Sequence, residues 1–376
     1  MPKIIKKLKK SYILILVCIL IGSLTWMISS PRRLPPVIRN LMIYKYDDVR
    51  LPFSKIKISR MNLSKKHDLI ATLTFNTKTK WPDSSKMPEG REPLKILEAA
   101  KNPGLGVKEL HRSGITDRGV HVAIIDQPLY LDHPEYAGKF VAYKDFGCNT
   151  EKSMHGPAVT SLLVGNEIGT APDARVYYAA VPSWLADSAY YAKALDWIIE
   201  ENRKLTGKER IRVVSVSAIP SGKGSLFTKN TKMWDESVAE AKKEGILVLD
   251  ATCENGFIGP CTLDARDIDN VAVCIPGFPE MPPPTDYPEY MVLAPTSPRT
   301  TAEEYEKGDF GYQYNGRGGL SWAMPYSTGI LALGWQERPE LTAEDMVSIL
   351  QNSAYLKDKY RIIHPSEFIK QVRAFK

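Results

Sequence analysis

The stretch VHVAIID, residues 120–126, is a short apolar run that ends on an aspartate. An apolar run of about four to eight residues bounded by turn residues is consistent with a buried β-strand. Similar runs follow at 175–180, 211–216, 246–249 and 271–275, and segments with helical periodicity lie between them. This alternation predicts an α/β fold with a mostly parallel sheet and helices on both faces.

Asp126 stands where such a sheet carries its functional groups. Sites in open α/β sheets form in the loops after the carboxyl ends of the strands, and Asp126 ends the first apolar run. A carboxylate in this position can be buried and held by backbone donors, as a residue that orients an imidazole must be. The alternative for this segment alone is a turn or helix-cap residue without chemistry.

A histidine and a serine further along the chain supply a base and a nucleophile. His155 begins a predicted helix that runs through Val164, and it is followed by a glycine and a proline. The glycine leaves room for substrate and imidazole, and proline suits the first helical turn. Ser321 lies in GLSWAMP, residues 319–325, a pattern that indicates a nucleophile at a tight loop-to-helix turn.

These segments together resemble the subtilisin-like serine proteases, the subtilases, over about residues 88–354. The motifs that carry the resemblance occur in the family's order: 123–126 with 132–134, 155–159, 169–174 and 319–325. Leu320 and Trp322 stand where the family usually has threonine and methionine. The resemblance implies the subtilisin-like three-layer fold and a serine endopeptidase of the Peptidase S8 type.

The resemblance also assigns roles to the three residues. Ser321 would attack the peptide carbonyl, His155 would take its proton, and Asp126 would hold His155 in the required tautomer. The family supplies an asparagine to the oxyanion from a loop after a strand. Gapless alignment gives Glu254 at that position, and a shift of one residue gives Asn255. Because a glutamate would repel the oxyanion, Asn255 is the predicted donor.

A further segment resembles one wall of the family's substrate site, with Ser217, Ala218 and Ile219 as the predicted binding residues. Ile219 would narrow the pocket and Pro220 would remove a backbone donor, which predicts restricted peptide selection. The alternative to an active protease is a pseudoprotease that binds peptides or a partner without turnover. No cofactor or metal is predicted. The segment between His155 and Pro172 is short and lacks the insertion that carries a calcium site in many subtilases, so the resemblance does not imply calcium.

The N-terminal sequence predicts that the chain is inserted in a membrane. Five lysines within the first ten residues account for most of the net charge of +7, so the remainder gives no case for a nucleic-acid partner. The following apolar stretch predicts a transmembrane anchor at 11–29, behind a cytoplasmic basic tail at 1–10. The rest of the chain would then lie outside the cell membrane, as in a membrane-anchored bacterial subtilase. A cleaved signal peptide with secretion is the alternative.

Two further regions complete the predicted organisation. Residues 30–87 are predicted as an extracytoplasmic stalk or small N-terminal region, in which 68–80 alternates like one strand. Residues 88–376 are predicted as the peptidase domain.

Cys253 and Cys261 flank a turn-rich loop that a disulfide could close, and small buried thiols are the alternative. The sequence does not decide how the four cysteines Cys148, Cys253, Cys261 and Cys274 pair with one another.

Overall fold

The structure is a computed structural model that describes residues 42–149, 153–252 and 256–376. The predicted tail at 1–10 and the predicted anchor at 11–29 lie outside these ranges. Within them, no helix has the length and apolar character needed to cross a bilayer.

The described residues alternate between strands and helices over most of their length. In chain order the strands are β1 (Thr74–Asn76), β2 (His121–Asp126), β3 (Phe140–Asp145), β4 (Arg175–Ala180), β5 (Ile211–Val216), β6 (Leu247–Asp250), β7 (Ile258–Thr262), β8 (Ile275–Pro276), β9 (Val292–Ser297), β10 (Arg299–Glu306), β11 (Asp309–Asn315), β12 (Tyr355–Lys357) and β13 (Tyr360–Ile362). The α-helices are α1 (Pro93–Ala99), α2 (Val107–Arg112), α3 (His155–Val164), α4 (Ser188–Arg203), α5 (Thr231–Lys243), α6 (Leu320–Glu337), α7 (Ala343–Ser353) and α8 (Pro365–Ala374).

The central sheet is parallel and has the order β3-β4-β2-β5-β6. Side chains alternate between its faces, so Val122 and Ile124 of β2 join one apolar core while Ala123 and Ile125 join the other. Helices α3 and α6 lie in the first core, and α4 and α5 lie in the second. The predicted parallel sheet with helices on both faces is therefore confirmed.

A second sheet has the order β12-β13-β9-β7-β8 and is mixed. The predicted strand at 271–275 is wrong in most of its length, because Val271–Val273 form a 3-10 turn and only β8 is extended. The side chain of Asn270 accepts a hydrogen bond from the Ala272 amide, and this local bond stabilises a turn over an extended chain.

The part of the N-terminal region that is described, residues 42–87, contacts the hairpin formed by β10 and β11. Strand β1 pairs antiparallel with β11, and an apolar cluster that includes Leu73 and Phe75 is shared with Tyr314. The single strand predicted over 68–80 is limited to β1. Residues Ile70–Thr72 form a 3-10 turn, which buries Ile70 and Leu73 on one side at a spacing of three. The domain boundary near residue 88 stays a prediction.

An ion pair fastens this region to the hairpin. Arg50 lies 3.4 Å from the buried carboxylate of Glu303 and also donates to Gln313. Asn76 donates to the second oxygen of Glu303 at 2.8 Å. The side chains of Arg50 and Glu303 are 13% and 1% exposed, so the pair is largely removed from water.

Replacing Arg50 by alanine would leave Glu303 buried without its cation. We expect the free energy of unfolding at about pH 7 to fall by about 3 kcal/mol. Because burial raises the pKa of Glu303, its ionisation opposes folding, and the loss should shrink at about pH 4, where the carboxyl is protonated. Urea denaturation at both pH values measures this.

The control is Lys78→Ala, which removes the exposed pair between Lys78 and Asp309. That change should cost less than about 1 kcal/mol. Equal losses for the two variants would contradict a stabilising role for the buried pair.

Candidate active site

The carboxyl edge of β2 lies at a crevice of the sheet. The chain continues from β2 to β3 and β4 on one side, whereas β5 lies on its other side. Such a change of direction separates the loops that follow neighbouring strands and opens a site between them. Asp126 at the end of β2 and Ser217 just after β5 therefore lie at the same carboxyl edge of the sheet, on adjacent parallel strands.

Asp126 and His155 are joined by a hydrogen bond. The Nδ1 atom of His155 lies 2.7 Å from Oδ1 of Asp126, whose side chain is 4% exposed. The backbone amide of Gln127 donates to the same oxygen at 2.8 Å. Burial alone would lower the pKa of His155, but the charge of Asp126 and this hydrogen bond raise it above its ordinary value of 6.5.

Helix α3 begins at His155 because its first amides have a local partner. The hydroxyl of Ser153 accepts from the amides of His155 and Gly156, each at 3.1 Å. The structure adds a reason for Gly156 beyond the room for substrate and imidazole expected from the sequence. A Cβ at this position would lie 2.3 Å from the Gln127 carbonyl, so the glycine lets α3 approach the loop after Asp126.

Ser321 lies in the first turn of α6, and Pro325 explains how this turn is tied to the sheet. Proline has no amide hydrogen, so the Ser321 carbonyl lacks its usual helical donor four residues on. The hydroxyl of Ser217 donates to that carbonyl at 2.8 Å instead. The substitute bond joins the start of α6 to the end of β5.

The hydroxyl of Ser321 makes the reciprocal contact. It donates to the Ser217 carbonyl at 3.4 Å. Among the described residues, this hydroxyl makes no hydrogen bond to the His155 ring. The other two residues predicted to bind substrate follow directly. The Ala218 carbonyl accepts from the Ala251 amide at 2.9 Å, and Ile219 is half-buried against the main core.

A ring contact that sequence reasoning missed joins the histidine and serine segments. Trp322 follows Ser321, is 5% exposed, and stacks on His155 with ring centroids 5.5 Å apart and planes at 30°. The replacement of the family's methionine by tryptophan was visible in the sequence. The partner of the indole was not, because only the tertiary structure brings α6 beside α3.

The predicted oxyanion donor Asn255 and its competitor Glu254 lie outside the described residues. On the near side of this loop, Asp250 accepts from the Thr252 amide at 3.1 Å and from the Trp234 indole at 3.3 Å. On the far side, a Cβ at Gly256 would lie 2.0 Å from the Thr252 carbonyl. A side chain at 256 is therefore incompatible with this close approach of Gly256 to Thr252.

The cysteines and acidic residues add no further centre to the described ranges. Cys148, Cys261 and Cys274 are buried free thiols, and Cys253 lies outside the described residues. Within residues 42–149, 153–252 and 256–376, no group of three or more histidine, cysteine, aspartate or glutamate side chains could hold a metal ion.

The sequence profile of the subtilase family, Peptidase S8, matches residues 117–368. The chain belongs to this family of serine proteases. Its sequence is also similar to that of the serine protease AprX of Bacillus subtilis strain 168, with 26% identity over 322 residues. That alignment covers 73% of this chain and 70% of AprX.

Solved structures show the same subtilisin-like fold. The subtilase cytotoxin SubAB structure matches with a TM-score of 0.54 and 16% identity, covering 72% of this chain and 95% of that one. The prenylagaramide maturation protease PagA matches with a TM-score of 0.52 and 15% identity, covering 72% and 99%. The PatG macrocyclase domain matches with a TM-score of 0.52 and 14% identity, covering 72% and 96%. At these identities the likeness concerns the fold.

Proposed function

We propose that this chain is a serine endopeptidase that hydrolyses peptide bonds through Asp126, His155 and Ser321. The observation that carries the proposal is the 2.7 Å hydrogen bond between His155 Nδ1 and the buried Asp126 carboxylate. This bond leaves Nε2 as the basic nitrogen of the neutral ring. Ser321 lies in the first turn of α6, and the next residue, Trp322, stacks on the His155 ring.

In the proposed reaction, His155 Nε2 accepts the Ser321 proton as the hydroxyl oxygen attacks the peptide carbonyl. Asp126 stays ionised and stabilises the imidazolium that forms. His155 then returns the proton to the leaving amine, and water hydrolyses the acyl-enzyme by the same steps in reverse order. The hydroxyl must turn from the Ser217 carbonyl to the imidazole, a change expected when substrate tightens a resting site.

We further propose that Asn255 donates to the oxyanion and that residues 217–219 bind the substrate backbone. The half-buried Ile219 supports a narrow pocket and hence restricted peptide selection. Asn255→Ala should lower kcat by about 100- to 1,000-fold. Glu254→Ala is the matched control, and full turnover in Asn255→Ala would remove this assignment.

A fluorophosphonate probe tests the proposed activity directly, because it labels only an activated serine. We expect covalent labelling of the wild-type chain and none of Ser321→Ala or His155→Ala. Circular dichroism confirms that all three samples are folded. A folded wild-type chain that is not labelled would favour the pseudoprotease, which binds peptide without turnover.

Location is a separate proposal. We propose that residues 11–29 anchor the chain in the cell membrane with the catalytic domain on the outer side. The five lysines before the apolar stretch support this orientation. Released protein whose N-terminus begins near Pro31 would indicate a cleaved signal peptide instead.

A further inference from the structure

Trp322 differs from the other buried tryptophans whose indole contacts are described. The indole of Trp335 donates to the Leu341 carbonyl at 3.0 Å, and that of Trp234 donates to Asp250 at 3.3 Å. The Nε1 atom of Trp322 is buried and has no hydrogen-bond partner among the described residues. A buried indole N–H normally finds a partner, so its own hydrogen bonding does not explain why a tryptophan stands here.

The ring of Trp322 does have a partner, and that partner is His155. The two rings are tilted by only 30° at a centroid distance of 5.5 Å, which is an offset-stacked arrangement. An aromatic face attracts a cation within about 6 Å of its centroid, and tryptophan does so more strongly than tyrosine or phenylalanine. The imidazole becomes such a cation whenever it accepts the serine proton.

We propose that Trp322 is a positioning residue whose indole face fixes the His155 ring beside Ser321 and stabilises its protonated form. The inference rests on the proposed proteolytic function. Asp126 holds one edge of the imidazole and Trp322 stacks against it with an offset, so that the ring is restrained in two directions. The stronger attraction of indole for a cation then accounts for tryptophan at a position where its N–H remains unsatisfied.

The surroundings of His155 contain few competing charges. The charge that acts on this ring from the described residues is that of Asp126. Ser153 and Gly156 at the start of α3 are neutral, as is Ser321 on α6. A change in the protonation of His155 after a substitution of Trp322 that keeps the ring buried can therefore be assigned to the loss of the indole.

The test uses the full chain with Ser321→Ala as background, so that it does not depend on turnover. NMR titration of the His155 imidazole is compared between this background and the same chain with Trp322→Met or Trp322→Phe. Methionine and phenylalanine both keep the His155 ring covered, so the burial that lowers its pKa changes little. We therefore expect the pKa of His155 to fall by roughly 0.5 to 1 with methionine, which removes the aromatic face, and by less with phenylalanine, which keeps one. Trp335→Phe, on the same helix, is the matched control and should leave the titration unchanged.

An unchanged His155 titration in a folded Trp322→Met chain would overturn the proposal, and so would an equal fall in the Trp335→Phe control. If Trp322→Met does not fold, Trp322→Phe decides, since an unchanged titration there would show that the indole has no special effect. In the Ser321-containing enzyme, Trp322→Met should lower kcat several-fold with little change in KM. Failure of wild-type labelling would reject the proteolytic function while leaving the titration result valid.

Discussion

Replacing Ser321 by alanine should abolish peptide hydrolysis, with kcat falling by about 10⁶-fold, the size of loss that follows removal of the triad serine in subtilisin. Without the hydroxyl no acyl-enzyme can form. Water must then attack the peptide carbonyl directly, and the site does not position water for that attack. The fold should survive, because the backbone carbonyl that accepts from Ser217 remains. Steady-state cleavage of a fluorogenic peptide, beside urea denaturation, measures both expectations.

Ser327→Ala is the matched control on the same helix. Ser327 is fully buried, and its hydroxyl has no hydrogen-bond partner among the described residues. Its removal should leave kcat unchanged and the fold as stable or more stable. If Ser321→Ala retained more than about one hundredth of the wild-type rate, a different nucleophile would have to be sought.

The second large effect is expected for Asp126→Asn, with kcat lower by about 10⁴-fold. The asparagine amide can donate to Nδ1 of His155, which would place the remaining ring proton on Nε2, where the Ser321 proton must go. The side chain keeps its size, so the loss should appear in kcat with the substrate affinity preserved. Single-turnover kinetics with the fluorogenic peptide separates the two quantities.

The pH profile provides a second sign of the same contact. Asp126 raises the pKa of His155, and the base must be neutral to accept a proton, so wild-type activity should rise with pH through a value above 6.5. In Asp126→Asn the raising charge is gone, and the acid limb of the residual activity should move to lower pH. An acid limb that moved upward would contradict the assigned contact.

Asp145→Asn serves as the control for this variant. Asp145 is the last residue of β3, in the same sheet as β2. Its carboxylate accepts hydrogen bonds from the amides of Gly147 and Cys148. This residue is exposed and lies outside the proposed triad. Its replacement should change kcat by no more than a few-fold, whereas a loss as large as that of Asp126→Asn would point to a general effect on the sheet.

The elements of the sheet were predictable because their signals are local. Strands β4 and β5 have the bounds expected from their apolar runs. Asp187 accepts from the Ala189 amide at the start of α4, and Thr342 with Asp345 forms a capping box at the start of α7. In each case the side chains that determine the element lie within a few residues of the backbone they satisfy.

The sequence by itself determined the α/β fold and the family, because the order of its apolar runs and motifs is visible without knowledge of any contact. The resemblance to the family already implied the contact of His155 with Asp126. Only the tertiary structure decided that Ser217 meets the carbonyl that Pro325 leaves free, Trp322 meets His155, and Arg50 meets Glu303. These partners are distant along the chain, and their meeting depends on the crossing of whole elements. The residues adjacent to a given residue in sequence do not indicate how the elements cross, because the packing of the complete sheet and its helices determines the crossing.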